Sequence, residues 1–262
     1  MKTIIVATVL VFAATAAQSR TWRVNTAGTG DAPTLHAAMD SAAAGDVVLV
    51  EAGEYPMESG LSVPSGVRLV GESGPAHTLV YVVFSYDLPP TTVSLRSGAD
   101  MSGIHVRGST TVVVYSVNAD VDHCIIESEN DFKVVEGSNS NFINCLLLGG
   151  VCNIVATYGQ CIIYSTLGFG AIGSTVFSCD VLGSVDPSID ASATNFNFSL
   201  DPQFCGIPGS GNYFLQSTSP CLGANNPFEP LPFDIGPLGA GCGTVRVEER
   251  TWGGVKALYR NP

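Results

Sequence analysis

Short apolar runs alternate with turn-forming segments along most of the chain. The runs are rich in β-branched residues, and Gly, Pro and Ser cluster between them. Runs this short and without helical period predict strands joined by tight turns. The predicted strands are Val47–Val50, Val67–Val70, Thr78–Phe84, Thr92–Leu95, Ile104–Val106 and Val112–Tyr115.

One segment has a helical period instead. Between Thr34 and Ala44, apolar side chains recur at spacings of three and four, which predicts a short amphipathic helix. Gly45 is expected to stop this helix, because glycine tolerates the left-handed backbone of a helix end. The helix then delivers the chain into the strand Val47–Val50.

The middle of the chain repeats itself. Five apolar tetrads begin 21, 21, 16 and 18 residues apart, and each is expected to be one strand of a successive coil. Parallel stacking of such coils spaces the rungs by about 4.8 Å. The tetrads are Gly103–Val106, Cys124–Glu127, Cys145–Leu148, Cys161–Tyr164 and Cys179–Leu182.

Two segments carry a resemblance to a known fold. Thr34–Tyr55, TLHAAMDSAAAGDVVLVEAGEY, resembles the N-terminal cap of right-handed parallel β-helix proteins of the pectin-lyase-like superfamily. The motifs Asp201–Phe204, Gly211–Leu215, Ser219–Cys221 and Asp234–Gly236 are similar, in order, to the closing segment of bacterial secreted proteins of this kind. The resemblance implies an all-β, single-domain right-handed parallel β-helix with a short N-terminal capping helix. It implies no particular activity, because lyases, hydrolases, esterases and binding modules share this fold.

The expected organisation has five parts. Lys2, the apolar run Ile4–Ala14 and the small residues after it are typical of a secretory signal peptide, so the protein is expected outside the cell or on its surface. The mature chain has no apolar run long enough to span a membrane. The parts are a signal peptide (1–19), a strand and capping helix (20–45), the β-helix coils (46–185), an irregular or last-coil segment with cysteines (186–243) and a basic-aromatic tail (244–262).

The net charge of the chain limits the classes of partner that it is expected to bind. The net charge is −12 and no basic patch interrupts the body, which argues against nucleic-acid binding. Polysaccharide or cell-surface components are the expected partners. The tail gathers Arg246, Arg250, Lys256 and Arg260 beside Trp252, and it is either a docked or frayed terminus or an attachment tag for the cell surface.

The eight cysteines divide into two kinds. Those of the tetrads occupy one position of the repeat, so they should form a buried ladder: Cys124, Cys145, Cys161 and Cys179. Their expected spacing of about 4.8 Å exceeds that of bridged Cβ atoms, so free thiols are favoured over disulfides. A linear stack cannot form a tetrahedral zinc site, and no cofactor is predicted.

The other four are Cys152, in a predicted turn of the solenoid, and three cysteines of the irregular segment, and loop cysteines of this kind are expected to pair in a secreted protein. The candidates are Cys205, Cys221 and Cys242. A bridge from Cys221 to Cys242 or to Cys205 is preferred, although sequence does not determine the connectivity.

One coil carries the candidate chemistry. Asp120, Asp122, His123 and Glu127 are the candidate catalytic residues, with Glu129 and Asp131 close by in sequence. Asp120 and Asp122 alternate along a strand, a spacing that suits the two carboxyl groups of a glycosidase. The alternative is that these are solvated turn residues.

Signatures of the related enzymes are absent from the sequence. It contains none of the NTD, GHG and RIK motifs of polygalacturonases, and it lacks the QDTL and DFIFG motifs of pectin methylesterases. The sequence therefore favours a non-catalytic carbohydrate-binding or structural module. The alternative is a divergent polysaccharide lyase, with Ca²⁺ as a possible cofactor, or a glycoside hydrolase that uses the acidic cluster Asp120–Asp131. His105 is expected on the outer face of its strand in a structural role.

Overall fold

The structure is a computed structural model that describes residues 18–83, 91–129, 133–150, 152–165, 174–183, 195–207, 209–228 and 230–242. Most of the predicted signal peptide, the whole predicted tail and Asp131 lie outside the described residues. In the described part, no helix is long and apolar enough to cross a membrane.

Besides a short 3₁₀ helix at Gly223–Asn225, eighteen strands and one α-helix make up the regular structure of the described residues. In chain order they are β1 (Thr21–Val24), α1 (Leu35–Ser41), β2 (Val47–Val50), β3 (Gly53–Met57), β4 (Leu61–Val63), β5 (Arg68–Gly71), β6 (Thr78–Val82), β7 (Thr91–Leu95), β8 (Asp100–Ser102), β9 (His105–Gly108), β10 (Val112–Val117), β11 (Asp120–Asp122), β12 (Ile125–Ser128), β13 (Lys133–Ile143), β14 (Leu146–Gly149), β15 (Cys152–Gly159), β16 (Ile162–Ser165), β17 (Thr175–Phe177) and β18 (Asp180–Gly183).

The strands stack in parallel on three faces of a solenoid. Face I contains β1, β2, β5, β8, β11 and β17, face II contains β3, β6, β9, β12, β14, β16 and β18, and face III contains β4, β7 and β10. The long strands β13 and β15 each begin on face III and continue onto face I. The register of β13 with β15 shifts between Ser138 and Ser140, where β13 passes from one face to the other. The predicted right-handed parallel β-helix is confirmed.

Alternation along the strands produces one continuous core. On face I, alternate residues of the strands point inward and are buried, as Met101, Val121 and Phe142 are. Phe142 stacks on Tyr158 of the next coil, with ring centroids 5.4 Å apart. Stacked coils therefore bury side chains of equivalent positions against one another, which is how a solenoid without a globular core gains its stability.

The capping helix covers the N-terminal end of this core, but it is shorter than predicted. Thr34 caps its start by accepting a hydrogen bond from the Ala37 amide (3.1 Å), and the helix ends before Ala42, whose backbone is extended. The reason is Asp46, whose carboxylate accepts hydrogen bonds from the backbone amides of Ala43 (3.0 Å) and Arg20 (2.8 Å) and draws the chain towards β2 early. These bonds lower the pKa of Asp46. Gly45 therefore serves the turn rather than the helix end.

The corner between faces I and II repeats before five successive strands of face II, β9, β12, β14, β16 and β18. One residue with positive φ stands two positions before each of these strands, as His123 (φ 49°) and Asn144 (φ 51°) do, and a buried residue follows it. At four corners that buried residue is an unbridged cysteine: Cys124, Cys145, Cys161 and Cys179. The first predicted tetrad was wrong by one residue, because Ile125 pairs with His105 and Gly103 (φ 68°) is itself the corner residue.

The segment after the last coil packs against the outside of the solenoid. We call residues 199–207, 209–228 and 230–242 the C-terminal clasp. Its side chains Tyr213, Leu215 and Ile235 are buried on the outer surface of face II against outward-facing apolar residues of the coils. Those residues are Ile125, Leu146, Leu148 and Ile162. Each large apolar side chain buried in this second core contributes about 1.5–3 kcal/mol.

The clasp carries one disulfide, and the preferred pairing was wrong. Cys205 is bonded to Cys242, whereas Cys221 is a buried free thiol. The physical reason is that the Cys221 side chain faces the solenoid, where its Sγ lies 3.2 Å from Oδ2 of Asp180. Cys205 and Cys242 meet instead because Gly241 and Cys205 hydrogen-bond to the neighbouring residues Leu215 and Phe214.

Candidate functional site

The outer surface of face I carries two columns of aligned side chains. Register pairs place Asp120 beside Asp100 on one rung and beside Asn141 on the next, and they place Asp122 between Ser102 and Ile143. Neighbouring rungs lie about 4.8 Å apart. The first column is Arg68, Asp100, Asp120, Asn141, Thr157 and Thr175, and the second is Ser102, Asp122, Ile143, Gly159 and Phe177.

Polar contacts run along the first column. Asn141 donates a hydrogen bond from Nδ2 to Oδ1 of Asp120 (2.7 Å), and Nε of Arg68 lies 3.9 Å from Oδ2 of Asp100. Partial burial raises the pKa of Asp100, and the charge of Asp120 on the next rung adds to the effect. The Asp100 carboxyl group, next to that of Asp120 in the column, therefore keeps its proton to a higher pH than an ordinary exposed aspartate does.

In the second column, Asp122 forms a polar contact with the residue that follows it. Its Oδ2 lies 2.8 Å from Nδ1 of His123, and both side chains are about half exposed. The positive φ of His123 belongs to the corner that five successive coils repeat, so it is not a local strain at a reactive residue. Asp120, Asp122, His123 and Asn141 line an open depression of about 590 Å³.

An apolar platform lies further along the same column. Gly159 has no side chain, and the Phe177 ring and the Ile143 side chain occupy the space above it: a Cβ added there would meet both. The ring remains 36% exposed. Asn141, Thr157 and Thr175 run beside this platform in the first column. The surface therefore offers an exposed aromatic face next to a line of hydroxyl and amide groups.

Glu127 does not join the other candidate residues, because the corner at His123 turns the chain onto face II. There Glu127 is buried and accepts hydrogen bonds from Nε2 of His105 (2.9 Å) and from the Tyr213 hydroxyl (2.7 Å) of the clasp. Burial alone would raise the pKa of Glu127, but these two bonds, together with the nearby positive charge of Arg107, outweigh burial and hold the pKa below its usual value. His105 lies on the outer face of its strand, but under the clasp.

A second buried carboxyl group anchors the clasp. Asp180 is fully buried; its Oδ1 accepts a hydrogen bond from the Leu200 amide (3.0 Å), and the Cys221 thiol donates to its Oδ2 (3.2 Å). Burial raises the pKa of Asp180 to about 7. Like Glu127, Asp180 is covered by the clasp, and its hydrogen bonds have a structural role.

The structure therefore retains part of the predicted site and extends it. Asp120, Asp122 and His123 lie together on face I, whereas Glu127 lies on face II and Glu129 pairs with Arg107 (3.3 Å). Sequence reasoning missed Asp100 and Phe177, although the alternation in Asp100-Met101-Ser102 and Thr175-Val176-Phe177 indicates outward side chains. Among the described residues, no group of three or more His, Cys, Asp or Glu side chains is arranged to hold a metal ion.

Comparisons with known proteins add solved structures of similar architecture. The sequence matches no protein family and no curated protein. Pectin methylesterase PemA from Erwinia chrysanthemi has a TM-score of 0.42 and 14% identity over 67% of this chain, and the match spans 58% of that enzyme's length. A pectin methylesterase solved with a hexasaccharide has a TM-score of 0.49 and 14% identity, covering 76% of this chain and 77% of that one. At this distance no residue role is carried over.

Proposed function

We propose that the protein is a non-catalytic carbohydrate-binding protein, and that a polysaccharide lies along the outer surface of face I. The observation that carries the proposal is the platform of Phe177 over Gly159, flanked by Asn141, Thr157 and Thr175. Sugar rings present C–H faces that pack on aromatic rings, and their hydroxyl groups pair with amide and hydroxyl side chains. A straight strip on consecutive rungs suits an extended chain of repeating units.

The engagement of the acidic residues supports a binding role over a catalytic one. Asp120 already accepts a hydrogen bond from Asn141, Asp122 pairs with His123, and Glu127 is buried under the clasp. The depression beside them is open to solvent, whereas reaction sites commonly exclude water. The disulfide Cys205–Cys242 supports an oxidising compartment, so we place this binding outside the cell or on its surface.

A glycoside hydrolase or polysaccharide lyase is the second candidate, because of one observation. Asp100 has a raised pKa and stands on the rung next to Asp120, and many glycosidases use a carboxylic acid of raised pKa beside a second carboxyl group. In this case Asp100 would protonate the leaving oxygen, and the carboxylate of Asp120 or Asp122 would act as the general base or the nucleophile. Ca²⁺, the possible cofactor of a lyase, has no fitting site here, because the described carboxylates form no group of three or more that could hold a metal ion.

The test is a panel of neutral, acidic and methyl-esterified polysaccharides scored for both retention and product release. Phe177→Ala should weaken retention about tenfold, equivalent to about 1.4 kcal/mol. Tyr115→Ala is the matched control, because Tyr115 is an equally exposed aromatic residue (39%) on face III.

The two candidates give different results in this panel. Retention without products, with Asp100→Asn and Asp122→Ala changing only affinity, supports the binding protein. Product release that Asp100→Asn abolishes would establish the hydrolase instead. Equal losses in Phe177→Ala and Tyr115→Ala would show that face I is not the binding surface.

A further inference from the structure

The strand β3 lies at an open edge of the solenoid. It is the first strand of face II, and in the described part of the chain it pairs with β6 alone. On face I, β1 adds one rung before β2, but the chain then enters the loop 25–34 and α1. Neither of these segments supplies a strand of face II. The rung that would cover β3 is therefore missing.

A cavity occupies the place of that rung. Its volume is about 460 Å³, which lies within the range of ligand-binding pockets. It is lined by Val24–Thr26 after β1, by Pro33–His36 at the start of α1 and by Glu54–Ser59. Because six consecutive residues of β3 and the turn after it line the cavity, it follows the open edge of the strand.

The backbone of β3 has unpaired hydrogen-bonding groups along this edge. The Gly53 amide donates to the His77 carbonyl (2.8 Å), and the Met57 carbonyl accepts from the Val83 amide (2.8 Å), so the odd-numbered residues of β3 bond to β6. The backbone groups of the residues between them point the other way. Among the described residues, nothing bonds to the N–H and C=O groups of Glu54 and Glu58 or to the C=O group of Pro56.

The other two strands at this end of the solenoid are covered by the chain itself. On β1, the Arg23 amide donates to the Asp31 carboxylate (2.9 Å), and the Arg23 carbonyl accepts from the Asp31 amide (2.8 Å). The helix α1 packs against β4, and Nε2 of His36 lies 3.3 Å from the carbonyl oxygen of Gly60, directly before β4. The edge of β3 is thus the one that the described groups leave open.

The side chains along this edge favour a basic occupant. Glu54 and Glu58 are exposed, and within the described part of the chain neither forms an ion pair. They also disfavour a second copy of the chain, because antiparallel pairing centred on Pro56 would place Glu54 opposite Glu58, and like charges in such pairs are destabilising. The edge is therefore protected against its own copies but not against a strand that carries cations.

We propose that the edge of β3 binds an extended basic segment of a partner protein, which adds one strand to face II. The backbone of that segment pairs with the unpaired groups of β3, and pairing of this kind is a common mode of peptide recognition. Its basic residues lie four positions apart, beside Glu54 and Glu58. The residues opposite Tyr55 and Met57 point inward and are small and apolar, because buried Leu35 lines that side of the cavity. This site is separate from the carbohydrate site on face I.

The test measures, by fluorescence anisotropy, how a labelled peptide with the core KVSVK binds to the full-length protein. Replacing both lysines of the peptide with glutamate should weaken binding at least about tenfold, as should Glu54→Lys in the protein. Asp40→Lys is the matched control, because it makes an equal charge change at an exposed position of α1. It should change the affinity by no more than about twofold.

Backbone changes separate strand addition from charge attraction. Alternate residues of an added strand donate to β3, so N-methylation at either the two lysines or the two valines of the peptide should weaken binding about tenfold, whereas methylation of the other pair should not. Which pair matters reveals the direction of the added strand. In the protein, Glu54→Pro removes the charge and an edge amide, and it should weaken binding more than Glu54→Gln, with the fold of both variants checked by circular dichroism.

Four results would overturn the inference. The absence of peptide binding at millimolar concentration would show that the edge accepts no such strand. Equal binding of both N-methylated peptides and the unmodified one would mean that charge attraction alone holds the peptide. Binding that survives both Glu54→Lys and Glu54→Pro would place the peptide elsewhere on the molecule. Dimerisation of the protein alone that Glu54→Pro abolishes would assign the edge to a second copy of the chain.

Discussion

Asp120 and Glu127 are outward-facing acids of the same coil, yet their surroundings are opposite. Asp120 on face I is exposed and bonded to a neighbouring amide on the next rung. Glu127 on face II is buried and bonded to a tyrosine 86 residues later in the chain. Face I is open and offers its columns to a ligand, whereas face II is closed by the clasp and uses its outward acids as anchors. Strand alternation therefore determines which residues point outward but not which of them meet water.

The largest expected difference between the two faces is in how much stability is lost when an acidic residue is replaced. Glu127→Ala removes the acceptor of both His105 and Tyr213 and leaves their polar atoms buried without it, which should lower the free energy of unfolding by about 3 kcal/mol. Asp120→Ala removes one exposed hydrogen bond and should cost about 0.5 kcal/mol or less. Urea unfolding midpoints of the two variants measure this contrast, and equal losses would contradict it.

The disulfide is the next largest contribution to the closed face. Cys205 and Cys242 are 37 residues apart, and linking residues at that separation should stabilise the folded chain by about 2–4 kcal/mol. Replacing both with Ser should lower the unfolding midpoint correspondingly. Reducing agent should lower the midpoint of the unaltered protein to that of the double variant and leave the variant unchanged. A midpoint that does not respond to reduction would show that the clasp is held without the bridge.

The pH dependence of stability should also come from the closed face. Asp180 has a pKa of about 7 when folded, far above that of an exposed Asp, so the folded protein holds a proton that the unfolded chain releases between about pH 4 and 7. Its contribution to stability is therefore complete below about pH 4 and is lost as the pH rises to 7. Among the described groups that act on Asp180, the charge of Asp201 opposes ionisation and the Leu200 amide and the Cys221 thiol favour it; no cation does.

Asp180→Asn isolates this effect. The loss of unfolding free energy between pH 5 and pH 8 should be about 2 kcal/mol smaller in the variant than in the unaltered protein. Glu127 acts with the opposite sign, because its lowered pKa stabilises the folded state above its unfolded pKa and that stability is lost on acidification. Identical pH profiles for the unaltered protein and Asp180→Asn would refute the assignment to Asp180.

The smallest stability change with a functional readout is expected on the open face. In Gly159→Ala the new methyl group meets the end of the Phe177 ring and should turn it off the platform, because the ring moves more easily than the backbone. We expect a stability change of about 0.5 kcal/mol and a several-fold loss of polysaccharide retention. The double variant Gly159→Ala/Phe177→Ala should retain no less than Phe177→Ala alone, and additive losses would exclude this route.

Much of the fold was predictable from local pattern. The runs of β-branched residues marked the strands, the repeated tetrads marked the coils, and the helical period after Thr34 marked the cap. The end of that cap was mispredicted because Asp46 bonds to Arg20, a residue 26 positions earlier. Half of the candidate site was predictable as well, since Asp120 and Asp122 alternate on one short strand. The Phe177 platform was not, because it depends on the register of three successive coils.

The sequence by itself determined the solenoid, because inward and outward positions follow from a period of two and from residues that tolerate each corner. Only the tertiary structure decided what each outward position does. The clasp motifs around Tyr213 and Cys221 are readable as a pattern, but their contacts with Glu127 and Asp180 join segments far apart in the chain, and no local preference encodes such contacts. Because the clasp packs over face II, the predicted acidic cluster is divided: Asp120 and Asp122 lie on the open face I, whereas Glu127 is a buried anchor of the clasp.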